Sequence, residues 1–176
     1  MGMPVNTDFE ALVNLYYPAL YRFAFSLTHQ ESDACDLTQQ TFYIWARKGH
    51  QLQERTKVKS WLFTTLHREF LQHRRKFARY SDVDLSEAAA ELPEVEPARF
   101  GEIDGTAVLD ALRRLDGAFQ APIALFYLED YSYREIGEIL EIPLGTVKSR
   151  ISRGIAQLQQ LLAAPANRLA GKAAHD

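Results

Sequence analysis

The sequence predicts an all-α fold in which two small helical domains are joined by an acidic flexible linker. Apolar residues recur at helical spacing over residues 1–80 and again over residues 106–163. Between them, residues 81–105 hold 8 acidic side chains against 1 basic one, contain two prolines and have few large apolar residues, as linkers do. A short polar tail at residues 164–176 is expected to be disordered.

The first predicted helix starts at a capping box formed by Thr7 and Glu10 and ends near His29. Ser32 or Asp33 is expected to cap the second helix. Beside its apolar residues, the second helix carries a polar face that is either solvated or bound by a partner. This face consists of Asp33, Asp36, Gln39 and Gln40.

A third helix follows the looser basic stretch at residues 49–57, and its far end is strongly basic. Cations in the last turn of a helix are favoured by the macrodipole by about 0.3 to 1 kcal/mol each, which explains such an end without any ligand. A nucleic-acid contact is the alternative, and a DNA-reading motif later in the chain favours it. Trp61, Phe63 and Phe70 fit either the core or base stacking, and Trp61 is expected in the core. The candidate nucleic-acid contacts are Lys57, Lys59, Arg68, Arg74, Arg75, Lys76 and Arg79.

The second domain contains a pattern typical of a helix, a tight turn and a second helix. Ser132 and Glu135 form a capping box at the start of the first of these helices. Pro143 cannot continue that helix, and Gly145 is expected to relax the backbone limits of the turn. The second helix has one buried stripe at spacings of four, four, three and four, formed by Val147, Ile151, Ile155, Leu158 and Leu162.

The opposite face of that helix carries hydrogen-bond donors. Such side chains suit phosphates and the base edges of the major groove, which is wide enough to admit a helix. An ordinary helical hairpin with a solvated charged face fits the same pattern. The candidate DNA contacts are Thr146, Lys148, Ser149, Arg150, Ser152 and Arg153.

Several classes of protein are disfavoured by composition. No apolar run approaches the ~20 residues that span a bilayer, and residues 1–8 lack a basic region followed by an apolar one, so a cytoplasmic protein without membrane insertion is expected. The single Cys35 allows no intramolecular disulfide and builds no zinc site by itself. Nucleotide-binding glycine loops and a His-Glu-x-x-His pattern are missing, so neither catalysis, a metal nor a cofactor is expected.

The order of these segments resembles the extracytoplasmic-function (ECF) group of RNA polymerase sigma factors, from about residue 9 to residue 162. Residues 20–24 look like the family's L-Y-R-x-A, and residues 33–42 are similar to its D-A-E-D-L-x-Q-E-x-F segment. Residues 61–64 resemble its W-L-F-x, and residues 143–150 its P-x-G-T-V-K-S-R, which is the most specific of the four. Cys35 and Gln40 depart from the pattern, because acidic residues are usual at both positions.

The resemblance implies a role for each part. Residues 1–80 form a sigma region 2-like domain, 81–105 the acidic linker and 106–163 a sigma region 4-like helix-turn-helix domain. Asp33, Asp36, Gln39 and Gln40 are implied to bind the clamp helices of the largest catalytic subunit of RNA polymerase core enzyme. The third helix and the loop before it are implied to bind and help open the minus-10 promoter element. The C-terminal helix is implied to read the minus-35 element, and an anti-sigma protein is implied as a further partner.

Two alternatives to a promoter-specificity subunit remain open. A free-standing helix-turn-helix repressor or activator accounts for the C-terminal half but gives residues 33–45 and the acidic linker no purpose. A helical protein that sequesters a partner without touching DNA is the other alternative. Under the sigma interpretation, promoter elements one and a half duplex turns apart place the domains roughly 50 Å from each other. The acidic linker is then expected to run extended through a basic channel of the polymerase.

Overall fold

The computed structural model of the chain describes residues 5–78 and 110–170, and the side chains of residues 8–76 and 110–163 within them. These parts are helical and contain no strand. The predicted linker, Arg79 and residues 171–176 lie outside the described residues. Within the described chain, no helix combines the length and the apolarity needed to cross a membrane.

Three helices form the N-terminal domain: α1 (Val5–Thr28), α2 (Glu31–Lys48) and α3 (Val58–Ala78). Two short 3-10 turns, Gly49–Gln51 and Arg55–Lys57, connect α2 to α3. The core between the three helices is apolar and aromatic, and it includes Leu20, Phe23, Leu27, Leu37, Phe42, Leu62 and Leu66. Trp61, expected in the core, is half-buried, and its ring centroid lies 5.1 Å from that of Trp45 in an edge-on contact.

The predicted starts of the first two helices are wrong. α1 starts upstream of Thr7, which therefore lies inside the helix. α2 starts after Gln30, whose side chain makes no capping hydrogen bond, so Ser32 and Asp33 lie in the first turn. Acidic side chains in that turn, Glu31 and Asp33, are stabilised by the positive end of the helix dipole, so α2 can begin without a side-chain cap.

The C-terminal domain contains a helical segment at residues 110–113 followed by α4 (Gly117–Glu129), α5 (Tyr133–Leu140) and α6 (Leu144–Ala170). α4 and α6 approach each other closely at Gly154, where an added Cβ would lie 2.8 Å from Cγ1 of Ile123. The stripe predicted for α6 packs into the domain core, because Val147, Ile151, Ile155 and Leu158 are buried and Leu162 is half-buried.

The tail predicted to be disordered from residue 164 is instead helical through Ala170. Leu161 and Leu162 are half-buried and continue the apolar stripe of α6. Several alanines follow, and alanine has the highest helix propensity. The helix therefore extends beyond the last strongly periodic residue.

The two domains pack against each other: α1 contacts α4, and α3 contacts α5. Phe63 of α3 lies at this boundary and is fully buried. Its ring centroid is 5.4 Å from that of Phe23 in its own domain and 5.4 Å from that of Tyr131 in the other. Phe63 is therefore a core residue that both domains share in this packing.

Candidate nucleic-acid and polymerase interfaces

The capping box predicted at Ser132 is present at the start of α5. The Ser132 hydroxyl accepts from the Glu135 backbone N–H at 3.4 Å, and Oε2 of Glu135 accepts from the Ser132 backbone N–H at 2.8 Å. The side-chain hydrogen bond with Ser132 holds the pKa of Glu135 below its usual range. Both partners satisfy backbone groups that a helix start leaves without partners, so α5 begins where the sequence predicts.

The turn between α5 and α6 differs from the prediction. Its left-handed residue is Glu141, with φ 58° and ψ 42°, and the backbone N–H of Glu141 donates to the carbonyl of Gly137. No glycine among the described residues has a positive φ, and Gly145 lies in the first turn of α6. The role given to Gly145 is therefore wrong. Glu141 redirects the chain, and the carbonyl of Pro143 accepts from the Val147 N–H at 3.1 Å as α6 begins.

The six predicted minus-35 contacts lie in the first turns of α6, outside its buried stripe. Lys148 is exposed, and the other five side chains are half-buried. The Ser149 hydroxyl donates to the backbone carbonyl of Thr146 at 3.0 Å. The helix therefore presents one ammonium, two guanidinium and three hydroxyl groups within residues 146–153, the donor types that DNA phosphates and base edges accept.

The cations predicted for the minus-10 element do not gather on one open face. Arg75 and Lys76 are exposed near the end of α3, and Lys57 pairs with Glu54 at 3.0 Å. Lys59 and Arg68 instead face the C-terminal domain. Nζ of Lys59 lies 4.7 Å from the ring centroid of Tyr131, and Arg68 forms a two-point ion pair with Glu141, with Nε donating at 2.9 Å.

Arg74, near the same helix end, also faces the second domain. Its guanidinium lies 5.8 Å from the ring centroid of Phe70. A Cβ added at Gly117 would lie 3.1 Å from Nη1 of Arg74, so the guanidinium packs beside the start of α4. Three of the predicted cations, Lys59, Arg68 and Arg74, are thus in contact with the C-terminal domain.

The predicted polymerase-binding face is open. Asp33, Asp36, Gln39 and Gln40 are all exposed on α2. Three of them line a shallow depression of about 380 Å³, and Asp33 does not. Sequence reasoning missed the fourth residue of that depression, Tyr43, although helical spacing from Asp36 and Gln40 places it on the same face.

Tyr43 is a large aromatic residue that is 56% exposed. Arg47, one turn further along α2, donates to its hydroxyl at 3.2 Å and lies 5.7 Å above its ring. Cys35, where the ECF pattern has an acid, is half-buried, and its sulfur is 3.9 Å from the Tyr17 hydroxyl oxygen. The face therefore combines one aromatic ring with carboxylate and amide groups, while the thiol contacts α1.

Sequence reasoning also missed an ion pair between the domains. Nε of Arg22 donates to Oε1 of Glu129 at 3.2 Å, and Nη2 donates to Oε2 at 3.3 Å. The Glu129 side chain is 3% exposed, whereas the Arg22 side chain is 52% exposed. Burial raises the pKa of Glu129, and the charge of Arg22 opposes that shift only in part. Arg22 lies inside the L-Y-R-x-A segment, but no sequence pattern indicates its distant partner.

Two family models match the chain. The model described as Sigma-70 region 2 matches residues 12–80, and the model described as Sigma-70, region 4 matches residues 106–158. Over 160 residues the chain is 34% identical to the ECF RNA polymerase sigma factor SigE of Mycolicibacterium smegmatis, and the match covers 89% of this chain and 62% of that protein. Over 162 residues it is 24% identical to the RNA polymerase sigma factor YlaC of Bacillus subtilis, and that match covers 90% of this chain and 94% of YlaC.

A solved structure has a similar fold at similar identity. It is the sigma factor RpoE in complex with the anti-sigma factor NepR from Bartonella quintana. The two chains are 34% identical, the match covers 88% of this chain and 96% of that one, and the TM-score is 0.70. The chain thus spans 62% of the SigE relative but nearly the full length of the RpoE chain.

Proposed function

Since the chain belongs to the ECF sigma factors, we propose that it directs RNA polymerase core enzyme to specific promoters and helps to open them during transcription initiation. The observation that carries this proposal is the match to sigma region 2 and region 4 in that order, with the second match lying on a capped helix-turn-helix. The protein then contributes specificity, while the polymerase contributes catalysis.

The exposed face of α2 is proposed to bind the clamp helices of the largest polymerase subunit. Asp33 and Asp36 supply negative charge to a basic partner, and Gln39 and Gln40 supply amide hydrogen bonds. Tyr43 supplies an aromatic surface in the same depression, and aromatic residues are enriched among the side chains that dominate interface energies. An apolar contact of this kind compensates in part for the charge that Gln40 lacks.

The start of α6 is proposed to read the minus-35 element. Lys148, Ser149, Ser152 and Arg153 are assigned to base edges, and Arg150 is assigned to phosphate together with Thr146. A good base contact contributes only about 1 to 3 kcal/mol of discrimination, so one short helix does not hold a promoter tightly by itself. Core polymerase must supply the remaining affinity.

The loop before α3 and the basic side chains of α3 are proposed to act on the minus-10 element. The proposed division is residues 1–80 for polymerase and minus-10 binding, 81–105 for the linker and 106–163 for minus-35 binding. The linker is proposed to follow the path of RNA through the polymerase, because its acidic side chains mimic the charge of RNA. An anti-sigma protein is proposed as a cytoplasmic partner, supported by the NepR complex of the RpoE relative.

The test is transcription of bacterial genomic DNA by purified core polymerase with and without this protein. Sequencing of the 5′ ends should reveal start sites that depend on the protein and share two upstream elements. The matched control is the K148A/R153A variant, which should bind core enzyme normally but lose most of these start sites. Failure to bind core, or binding without any change in the start sites, would contradict the proposal.

A further inference from the structure

Leu144, the first residue of α6, carries an exposed apolar side chain at the start of the helix proposed to read DNA. It is 47% exposed, and it is the only exposed leucine, isoleucine, valine or aromatic residue among the described side chains of residues 110–163. The buried stripe of α6 begins about one turn later, at Val147. Leu144 therefore lies beyond the end of the domain core, and the core does not require a leucine there.

The fold also does not require a glycine at position 145. Gly145 does not have a positive φ, and a Cβ added to it would meet no atom within 4 Å. At Gly154, by contrast, such a Cβ would lie 2.8 Å from Cγ1 of Ile123, so packing accounts for that glycine. Glycine is less favourable than alanine in a helix, and one use that offsets this cost is the close approach of the backbone to a ligand.

The surface around Leu144 suits DNA better than an apolar protein surface. Pro143 and Gly145 are exposed on either side of it, and the exposed Lys148 lies one helical turn further along α6. An apolar protein surface that covered Leu144 would also remove water from the ammonium group of Lys148, which is unfavourable without an acceptor. Duplex DNA offers phosphate and base acceptors to Lys148 beside any apolar group that contacts Leu144.

The chemistry of the base edges limits what an apolar side chain can read. In the major groove, adenine, guanine and cytosine present hydrogen-bond donors and acceptors, whereas thymine also presents its C5-methyl group. In helix-turn-helix proteins the first residues of the second helix contact base edges in that groove, and Leu144 occupies this position. A thymine methyl is the group there that leucine can cover without leaving a polar atom unpaired.

We propose that Leu144 determines specificity by packing against the C5-methyl group of a thymine in the minus-35 element, and that the bare first turn at Gly145 allows this close approach. The inference rests on the proposed function, because it assigns a further contact to the helix proposed to read this element. Recognition of one A·T pair then depends on an apolar contact and not on a hydrogen bond. Removal of the methyl group alone should therefore weaken binding.

The geometry of α6 predicts where this thymine lies. Leu144 and Lys148 are four residues apart, which corresponds to about 6 Å along the helix axis. Successive base pairs are about 3.4 Å apart along the duplex. The thymine should therefore lie within about two base pairs of the pair at which K148A relaxes the sequence preference.

The experiment removes the methyl group from the DNA and the side chain from the protein. A promoter taken from the mapped start sites is synthesised with each thymine of the minus-35 element, on either strand, replaced singly by deoxyuridine, which keeps the base pairing. Core polymerase carrying the wild-type protein should bind one of these templates roughly three- to fivefold more weakly than the unmodified promoter, the value of one buried methyl group. With L144A, these two templates should bind equally and more weakly than the unmodified promoter binds to the wild type.

Two matched variants separate this contact from a general effect of an exposed leucine. Leu15 of α1 is 68% exposed, and L15A should keep the wild-type discrimination between thymine and deoxyuridine. L144M retains an apolar side chain of similar volume and should keep most of that discrimination. Urea unfolding should show little change in L144A, because the side chain lies outside the core.

A third variant tests the close approach at Gly145. G145A should be at least as stable as the wild type, because alanine favours the helix and its Cβ has open space. The added methyl group would stand between the first turn and the base edges, so G145A should bind core polymerase normally but lose promoter affinity. Wild-type promoter affinity in G145A would overturn the close approach.

The outcomes distinguish this inference from the proposed function. Equal binding of the wild type to every deoxyuridine template, or discrimination that persists in L144A, would overturn the thymine contact. A sensitive thymine more than about two base pairs from the Lys148 position would also overturn it. Absence of start sites that depend on the wild-type protein on unmodified DNA would contradict the proposed function and this inference together. Start sites without any effect of the methyl group would overturn this inference alone.

Discussion

The N-terminal domain has two polar faces that differ in what covers them. The face of α2, with Asp36, Gln40 and Tyr43, is open, whereas two cations of α3, Lys59 and Arg68, contact the C-terminal domain. The carboxylate of Asp36 is available to a partner, while the guanidinium of Arg68 is already paired within the chain. Residue type therefore indicates which partner a surface suits, whereas burial and internal pairing determine whether that partner can reach it.

Truncation of one buried aromatic residue at the boundary between the domains and of one exposed aromatic residue on α2 should give the largest contrast. Truncation of Phe63 to alanine should lower the free energy of unfolding by about 3 to 5 kcal/mol, because its buried ring joins both domains. Truncation of the exposed Tyr43 should change that free energy by about 0.5 kcal/mol or less. Urea unfolding measures the free energy of unfolding of both variants. Similar decreases in the two variants would contradict the expectation that Phe63 contributes more to stability than Tyr43.

Charge reversal on the open face should separate binding from folding. D36K/Q40K places two cations toward a basic partner and should weaken core polymerase binding by roughly 100-fold, since like charges across an interface cost several kcal/mol. Stability should change little, because both positions are exposed. Fluorescence anisotropy with labelled protein measures the affinity. E10K, a reversal at an exposed position of α1, is the control and should bind normally.

The helix-turn-helix extends the comparison to the second domain. K148A should cost about 1 to 3 kcal/mol of discrimination and relax sequence preference at one position of the minus-35 element. R150A should instead weaken binding similarly on all sequences and reduce the salt dependence. Binding of the polymerase complex to a set of single-base promoter variants at two salt concentrations measures both effects. Equal losses on every sequence for K148A would contradict its base-reading role.

The pH dependence of stability should distinguish the buried carboxylate of Glu129 from the exposed carboxylate of Glu141. The pKa of Glu129 is raised by burial, so its contribution to stability is full below the unfolded value of 4.5 and is lost as the pH rises through the folded pKa. The pKa of Glu141 is lowered by its hydrogen bond with Arg68, so its contribution is present above 4.5 and is lost as the pH falls through the folded pKa.

Urea unfolding between pH 3 and 7 tests whether the two carboxyl groups change stability in opposite directions as the pH falls. These changes should be the smallest of the predicted effects. E129Q should make the loss of stability on acidification steeper. Protonation of Glu129 favours the folded state and opposes that loss, and glutamine does not take up a proton. E141Q should make the loss shallower. If both variants changed the slope of stability against pH in the same direction, the opposite pKa shifts of Glu129 and Glu141 would be contradicted.

Features that depend on near neighbours were predicted well from the sequence. The capping box at Ser132 and the stripe of α6 need only residues three or four positions apart, and both are present. The start of α2 was predicted less well, because this helix begins without a side-chain cap and a capping residue therefore does not mark its start. The turn was attributed to Gly145, since glycine is the usual left-handed residue, but Glu141 adopts that conformation.

Features that join distant parts of the chain were not predictable in the same way. Arg22 and Glu129 are 107 positions apart, and each alone is an ordinary charged residue. Phe63 is one of four aromatic residues on α3, and only the packing of the second domain on its ring shows why it is fully buried. The ECF resemblance identified the family from four motifs, but the motifs carry no information about how the domains rest on each other.

The missing side chain of Gly154 has a geometric consequence for the start of α6, which is proposed to read the minus-35 element. Gly154 touches α4 at a point about 9 Å along the helix axis from Lys148, given a rise of about 1.5 Å per residue. A methyl group there would clash with the Ile123 side chain, so that side chain or α6 itself would have to shift. Under the proposed function, a shift of α6 would displace Lys148 relative to the minus-35 element, although Gly154 lies on the buried side of the helix.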